Sequence, residues 1–207
     1  MRALVTGASR GIGAALVVEG RARGHEVRGT TREGADGLDV TDAAAQRRLA
    51  GRTGPLDLLV CNAGVYLDKG TTLDDLDAER MAATFAANVT GVLLTVQAQR
   101  RNLGRGGRIA VIASAMGSQE RAGGGAYAYR ASKAAAVNLG RNLAVDLRGE
   151  GIAVGIYHPG WVRTDMGGAD AAMSAEDSAC GLWDRFEALD LDRTGAFESF
   201  DGAAVPF

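Results

Sequence analysis

The sequence predicts an α/β protein built on one doubly wound parallel sheet of about seven strands, with helices on both faces. Three observations predict it. Short β-branched or leucine-rich runs alternate with longer alanine-, leucine- and arginine-rich segments of helical spacing along the 207 residues. Strand–helix alternation at this spacing requires right-handed crossovers, and hence a parallel sheet. Runs such as Leu58-Leu59-Val60 and Ile109-Ala110-Val111-Ile112 are apolar at successive residues, as strands covered on both faces must be.

Strands are expected over residues 2–6, 26–30, 37–40 (a short one), 56–62, 108–114, 152–157 and 196–200, and helices over 11–23, 41–51, 78–102, 126–148 and 175–189. Glycine clusters at 104–107 and 123–125 read as helix stops and loops. Only residues 31–36 separate the second strand from the short third, too few for a crossover helix. Neither a linker nor an internal repeat is visible, so residues 1–207 are expected to form a single domain.

Hydrophobic residues make up 46% of the chain and charged residues 23%, with a formal net charge of −2. This globular balance offers no electrostatic footprint for nucleic acid or an anionic membrane. Thirty glycines are scattered without a repeat, which points to tight turns. No apolar run reads as long enough to span a membrane, and the first residues lead straight into a strand; a cytoplasmic protein is expected. Cys61 sits in an apolar strand and reads as a small core residue; with Cys180 alone besides, no disulfide framework or zinc pattern arises. No metal site is expected.

The first strand runs into Thr6-Gly7-Ala8-Ser9-Arg10-Gly11-Ile12-Gly13, which opens the first helix. Gly7, Gly11 and Gly13 permit a tight turn and close approach of backbone N–H groups to a pyrophosphate at a helix N-terminus. The spacing is G-x-x-x-G-x-G, and its context is that of a Rossmann-type dinucleotide site. At the end of the second strand, Gly29-Thr30-Thr31-Arg32 carries no acid for a ribose 2′-hydroxyl, while Arg32 and Arg10 suit a 2′-phosphate. NADP(H) is therefore expected over NAD(H). Asp39-Val40 and Asn62-Ala63-Gly64 close two further strands, placed to meet an adenine edge and to brace the neighbouring loop.

Tyr129 and Lys133 lie at i and i+4 on one helix face. A lysine ammonium ~4 Å from a phenol contributes ~4 kcal/mol at an effective dielectric of ~20. That equals about three pKa units, enough to bring the phenol toward neutrality as an acid or base. Ser114, at the end of the strand before it, is placed to donate a hydrogen bond to the same substrate oxygen. His158 reads as a hydrogen-bonded structural histidine, His25 as a surface residue, and Trp183 with Phe186 as core or interface. Asp74-Asp75-Leu76-Asp77 reads as a helix N-terminus.

Gly7, Gly11, Gly13, Asn62-Ala63-Gly64, Asn88, Ser114, Tyr129, Lys133 and Pro159-Gly160 follow one another in the order and approximate spacing of the short-chain dehydrogenase/reductase family, which the whole chain resembles. The stretch His158–Gly168, the glycine-rich loop before Tyr129 and the ending Phe200-Asp201-Gly202 with Pro206-Phe207 are similar to its C-factor-like carbonyl-reductase branch. The resemblance implies that Tyr129 is the general acid/base and that Lys133 lowers its pKa and holds the nicotinamide ribose. It further implies that Ser114 orients the carbonyl, that Asn88 organises a water relay to Lys133, and that Pro159, Gly160, Val162 and Thr164 contact the carboxamide. Substrate contacts are expected from 116–125, Tyr127, Trp161 and Met166.

Hydride transfer between the nicotinamide and a small carbonyl or alcohol is thus the expected activity. An NADP(H)-binding sensor or signalling protein is the alternative. A sugar-nucleotide epimerase would need a second lobe that the 78 residues after Tyr129 do not supply. By resemblance, helices 78–102 and 126–148 would pair between subunits of a homodimer or homotetramer, through faces bearing Ala83, Ala87, Leu94, Leu139 and Leu143.

Overall fold

A computed structural model describes residues 1–33 and 37–207; half of the tight connection at 31–36 therefore lies outside the described residues. In chain order the elements are β1 (Arg2–Val5), α1 (Gly11–Ala22), β2 (Glu26–Gly29), α2 (Ala43–Thr53), β3 (Leu56–Cys61), α3 (Ala78–Phe85), α4 (Gly91–Gln99), β4 (Leu103–Ile112), α5 (Tyr127–Arg148), β5 (Ala153–His158), α6 (Ala175–Ala188) and β6 (Phe197–Ser199). The sheet runs β2-β1-β3-β4-β5-β6, and every pairing is parallel. The chain winds outward from β1 to β2, then returns past β1 to β3, so the order reverses between β1 and β3. That reversal opens a crevice at the carboxyl ends of the strands.

The sheet has six strands among the described residues. The short strand expected at 37–40 is reduced to an isolated bridge between Thr31 and Gly37. Residues 104–107, expected as a loop, belong to β4, where the register with β3 shifts between Leu56 and Leu58 and Gly106 takes φ +84°. Glycine provides the positive φ that such an irregularity needs.

Period-two alternation sorts the strands onto two cores. Leu4, Leu59, Cys61, Ile109 and Val111 face Leu49, Val92, Val96, Ala136 and Leu147 on α2, α4 and α5. Ala3, Val5, Leu58, Val60, Ala110 and Ile112 face Leu16, Leu182, Trp183 and Phe186 on α1 and α6. Trp183 and Phe186 are therefore core. A Cβ at Gly20 would fall 2.2 Å from the Trp183 ring, so glycine sets the α1–α6 approach and lets Trp183 Nε1 donate to the Leu16 carbonyl at 2.9 Å. His25 is not a free surface residue: it is partly buried, meets Glu187 at 2.8 Å and lies against Trp183. Cys61 is buried, and burial pushes its thiol up to about 12.

Residues 78–102 form one helical stretch interrupted by a π-turn at Ala86–Thr90. Contrary to the sequence expectation, this 25-residue stretch is long and apolar enough to cross a membrane by length and composition alone, with a mean hydropathy of 1.4 over an 18-residue window of it. In this fold its Val92 and Val96 belong to the core. Of the residues expected on the outer faces, Ala87 is buried, Leu139 and Leu143 pack partly into the core, and Ala83 is exposed. An i, i+3/i+4 stripe of small apolar residues cannot by itself tell core from interface.

Candidate active site

The loops after β1, β3, β4 and β5 converge at the carboxyl edge of the sheet. Gly7 and Gly11 take φ +68° and +56°. A Cβ at Gly7 would lie 2.7 Å from the Ala63 Cα, and one at Gly13 would lie 2.2 Å from the Gly7 carbonyl oxygen. Asn62 holds the two loops together: its Nδ2 donates to the carbonyls of Thr6 and Gly7 at 2.9 and 3.0 Å. Thr6 Oγ1 in turn accepts from the amides of Asn62 and Ala63. The Asn62 Nδ2 thus serves to brace the two loops.

These residues fit a dinucleotide. The first turn of α1 has neither a side-chain cap nor an acidic residue, whereas Asp42, Asp77 and Ser174 cap α2, α3 and α6. Uncapped N–H groups beside a close-packed glycine turn make a cradle for an anionic pyrophosphate. Ser9 and Arg10 are exposed at this cradle, while Ile12 packs partly into the core. Arg10 pairs with Asp165 at 2.7 Å, and Thr164 Cγ2 lies 3.2 Å from where a Gly11 Cβ would be; the glycine turn thus meets the loop after β5. In that loop the Pro159 carbonyl accepts from Ser178 Oγ of α6 at 2.6 Å, Gly160 has φ +88°, and Val162 is buried. At the far edge, the Thr41 amide and hydroxyl hold the Asp39 carboxyl below its ordinary value, with a smaller contribution from Arg32. Val40 is partly buried and packs against Gly91.

Asn88, Ser114, Tyr129 and Lys133 are all buried and gather where β3, β4 and α5 meet. Ser114 follows β4 and accepts the Met116 amide. Lys133 Nζ donates to the Ile112 carbonyl at 2.9 Å and lies 5.7 Å from the centre of the Tyr129 ring. The expectation that Lys133 brings the phenol toward neutrality is corrected here. Burial dominates and pushes Tyr129 up to about 12, opposed by hydrogen bonding to Ser114. Burial also pulls Lys133 down to about 8. Coulomb arithmetic from sequence spacing omits desolvation, which is the larger effect in a pocket this closed. The Asn88 side-chain amide bonds both backbone groups of Val65 and Ser132 Oγ.

Two neighbours of Tyr129 were missed from sequence. The Tyr66 ring stacks on the Tyr129 ring, with centroids 4.2 Å apart. Asp68 is 1% exposed and accepts the Ala128 and Tyr129 amides. Neither belongs to a motif, and no local spacing signals a contact across some sixty residues. His158 is pushed by burial to about 4, which makes it neutral at pH 7, but its Nδ1 has no partner among the described residues. The expected hydrogen-bonded histidine is therefore partly buried with that nitrogen unpartnered among the described residues. Tyr127, Trp161 and Met166 are exposed, and Lys69 Nζ bonds the Met166 carbonyl at 3.0 Å.

A glycine cradle at the switch point of a parallel sheet defines a Rossmann-type dinucleotide-binding protein. The family model for short chain dehydrogenases matches residues 1–175, and the chain belongs to the short-chain dehydrogenase/reductase family of oxidoreductases. The Myxococcus xanthus protein named C-signal is 42% identical over 158 residues, covering 75% of this chain and 95% of its own. Among solved structures, an NADPH-bound carbonyl reductase from chicken fatty liver superposes with a TM-score of 0.89 at 28% identity, over 100% of this chain and 98% of the other. A short chain dehydrogenase from Burkholderia cenocepacia in complex with NADP gives 0.83 at 35% identity, covering 98% and 96%.

Proposed function

We propose that residues 1–207 act as one cytoplasmic, NADP(H)-dependent oxidoreductase that reduces a small carbonyl compound, with Tyr129 as the proton donor. The observation that carries this reading is the Tyr129 phenol, buried and held protonated beside Ser114, with the Lys133 amine 5.7 Å from its ring. A protonated phenol is the form a proton donor needs. The nicotinamide, when bound, supplies the hydride. Ser114 donates a hydrogen bond to the substrate oxygen, and Tyr129 delivers its proton to that oxygen as negative charge develops. The Lys133 ammonium stabilises the phenolate left behind. Gly7, Ser9, Arg10, Gly11, Ile12, Gly13, Asn62, Ala63 and Gly64 form or brace the dinucleotide cradle, and Pro159, Gly160, Val162 and Thr164 its nicotinamide end. Turnover of NADPH with a panel of aldehydes, ketones and quinones tests the reading; no turnover beside tight NADPH binding overturns it.

Preference for NADP(H) is supported by the absence of an acid in Gly29-Thr30-Thr31-Arg32 and by the NADP or NADPH bound in the relatives above. Arg32→Ala is expected to weaken NADPH binding roughly tenfold or more, the loss of a charge-assisted hydrogen bond, and to leave NADH binding unchanged. Equal weakening of both cofactors, measured by fluorescence titration, would contradict this role. Similarity to C-signal favours a second reading, a nucleotide-dependent signalling protein; binding without turnover selects it. A homodimer or homotetramer is also expected by family, and a monomeric mass from light scattering would exclude it.

A further inference from the structure

The segment after β3 grips Tyr129 from outside its own helix. α5 starts at Tyr127 without a local cap: Ala126 has φ +47° and makes no side-chain cap bond. The three residues before it are glycines, which have no side chain to offer. Instead the buried Asp68 carboxylate accepts the Ala128 amide at 2.7 Å and the amide of Tyr129 itself at 3.2 Å. A carboxylate at a helix N-terminus is favoured by the helix dipole and by the unbonded N–H groups there. Its neighbours reach the same place. Asn88 fastens Val65 through both backbone groups, Tyr66 stacks on Tyr129, and Lys69 Nζ bonds the Met166 carbonyl.

We infer that Asp68 is a positioning residue for the reaction: by holding the Tyr129 amide it fixes where the phenol stands relative to Ser114 and Lys133. The inference rests on the reading of Tyr129 as proton donor. A cap that served stability alone could sit on any first-turn amide, and its loss would leave the folded fraction fully active. Here one of the two amides it holds belongs to Tyr129, and the residue two positions upstream faces the Tyr129 ring. Small displacements of a reacting group carry large rate costs, on the order of 10²-fold for 1 Å.

The test compares Asp68→Ala, Asp68→Asn and Tyr129→Phe, using the best substrate of the carbonyl panel, NADPH titration and circular dichroism. Asp68→Ala is expected to lower kcat about 10- to 100-fold while NADPH affinity and KM move less than about twofold. Asp68→Asn, whose amide oxygen keeps one acceptor, is expected to recover part of that loss. A folded Asp68→Ala with kcat within about twofold of the parent overturns the inference, as does a loss that merely tracks its unfolded fraction. Should Asp68→Ala not fold, kcat of Asp68→Asn decides on the same roughly twofold criterion. Full turnover by Tyr129→Phe removes the assignment of Tyr129 itself. An inactive Tyr129→Phe beside an unimpaired Asp68→Ala removes only the role of Asp68.

Discussion

Tyr129→Phe is expected to lower kcat/KM for carbonyl reduction by about 10²- to 10⁴-fold, the range a positioned general acid contributes. NADPH affinity should stay within about twofold, because the lost hydroxyl serves the transition state rather than ground-state binding. The fold should tolerate the change, since phenylalanine fills the same buried space and loses only the hydrogen bonding to Ser114. A second signature comes from alkali. Burial raises the phenol from 10.0 to about 12, so above pH 10 the unfolded chain loses a proton that the folded protein keeps. The stability this gives is fully present below pH 10 and is lost as pH rises through about 12. Tyr129→Phe should lack that loss. Stopped-flow or steady-state kinetics with thermal melts from neutral to alkaline pH check both parts. Turnover close to that of the parent chain would remove Tyr129 from the reaction.

Lys133→Met is expected to do two opposite things: abolish most activity and stabilise the protein at neutral pH. Its ammonium is fully enclosed, and burial takes it from 10.5 to about 8. Below pH 8 both states carry the proton, so the folded state bears the whole cost of a buried charge. Between 8 and 10.5 the folded protein sheds the proton first, and stability rises with pH; above 10.5 the cost is gone. At pH 7 this cost is about 3 kcal/mol, and losing the bond to the Ile112 carbonyl returns about 1 kcal/mol. The net gain of about 2 kcal/mol corresponds to roughly 4–8 °C in Tm. It should fade toward pH 10.5. Activity should fall about 10²- to 10³-fold, as expected on removing one preorganised electrostatic group. A Tm that drops at pH 7 would show that Lys133 is not held against a desolvation cost.

Much of the molecule was legible in one dimension because its signals are local. Apolar strand runs and the helical spacing between them announced a two-faced parallel sheet, and they placed Gly7, Ser114, Tyr129 and Pro159 at strand ends or a helix start. Motif order did the same for the family. The errors fall where several elements interact. Residues 37–40 carried a strand-like pattern but reach only a single bridge, while 104–107 looked like a loop and lie within β4 as the irregular stretch between its paired residues Leu103 and Arg108. Asn88 and Asn62 were recognised, yet what their amides bond to depends on loops from other elements.

The Tyr129–Lys133 pair shows the division most clearly. Sequence by itself determined that the two share a helix face, since i and i+4 are fixed by helix geometry. Only the tertiary structure decided their protonation, because desolvation depends on everything packed around them and outweighs the Coulomb attraction that spacing suggests. The same holds for Asp68, sixty-one residues from Tyr129 in the chain yet bonded to its amide. The parallel crossover from β3 to β4 sets the loop after β3 beside the start of α5 and brings them together, and a backbone contact at that separation leaves no periodic trace in the sequence.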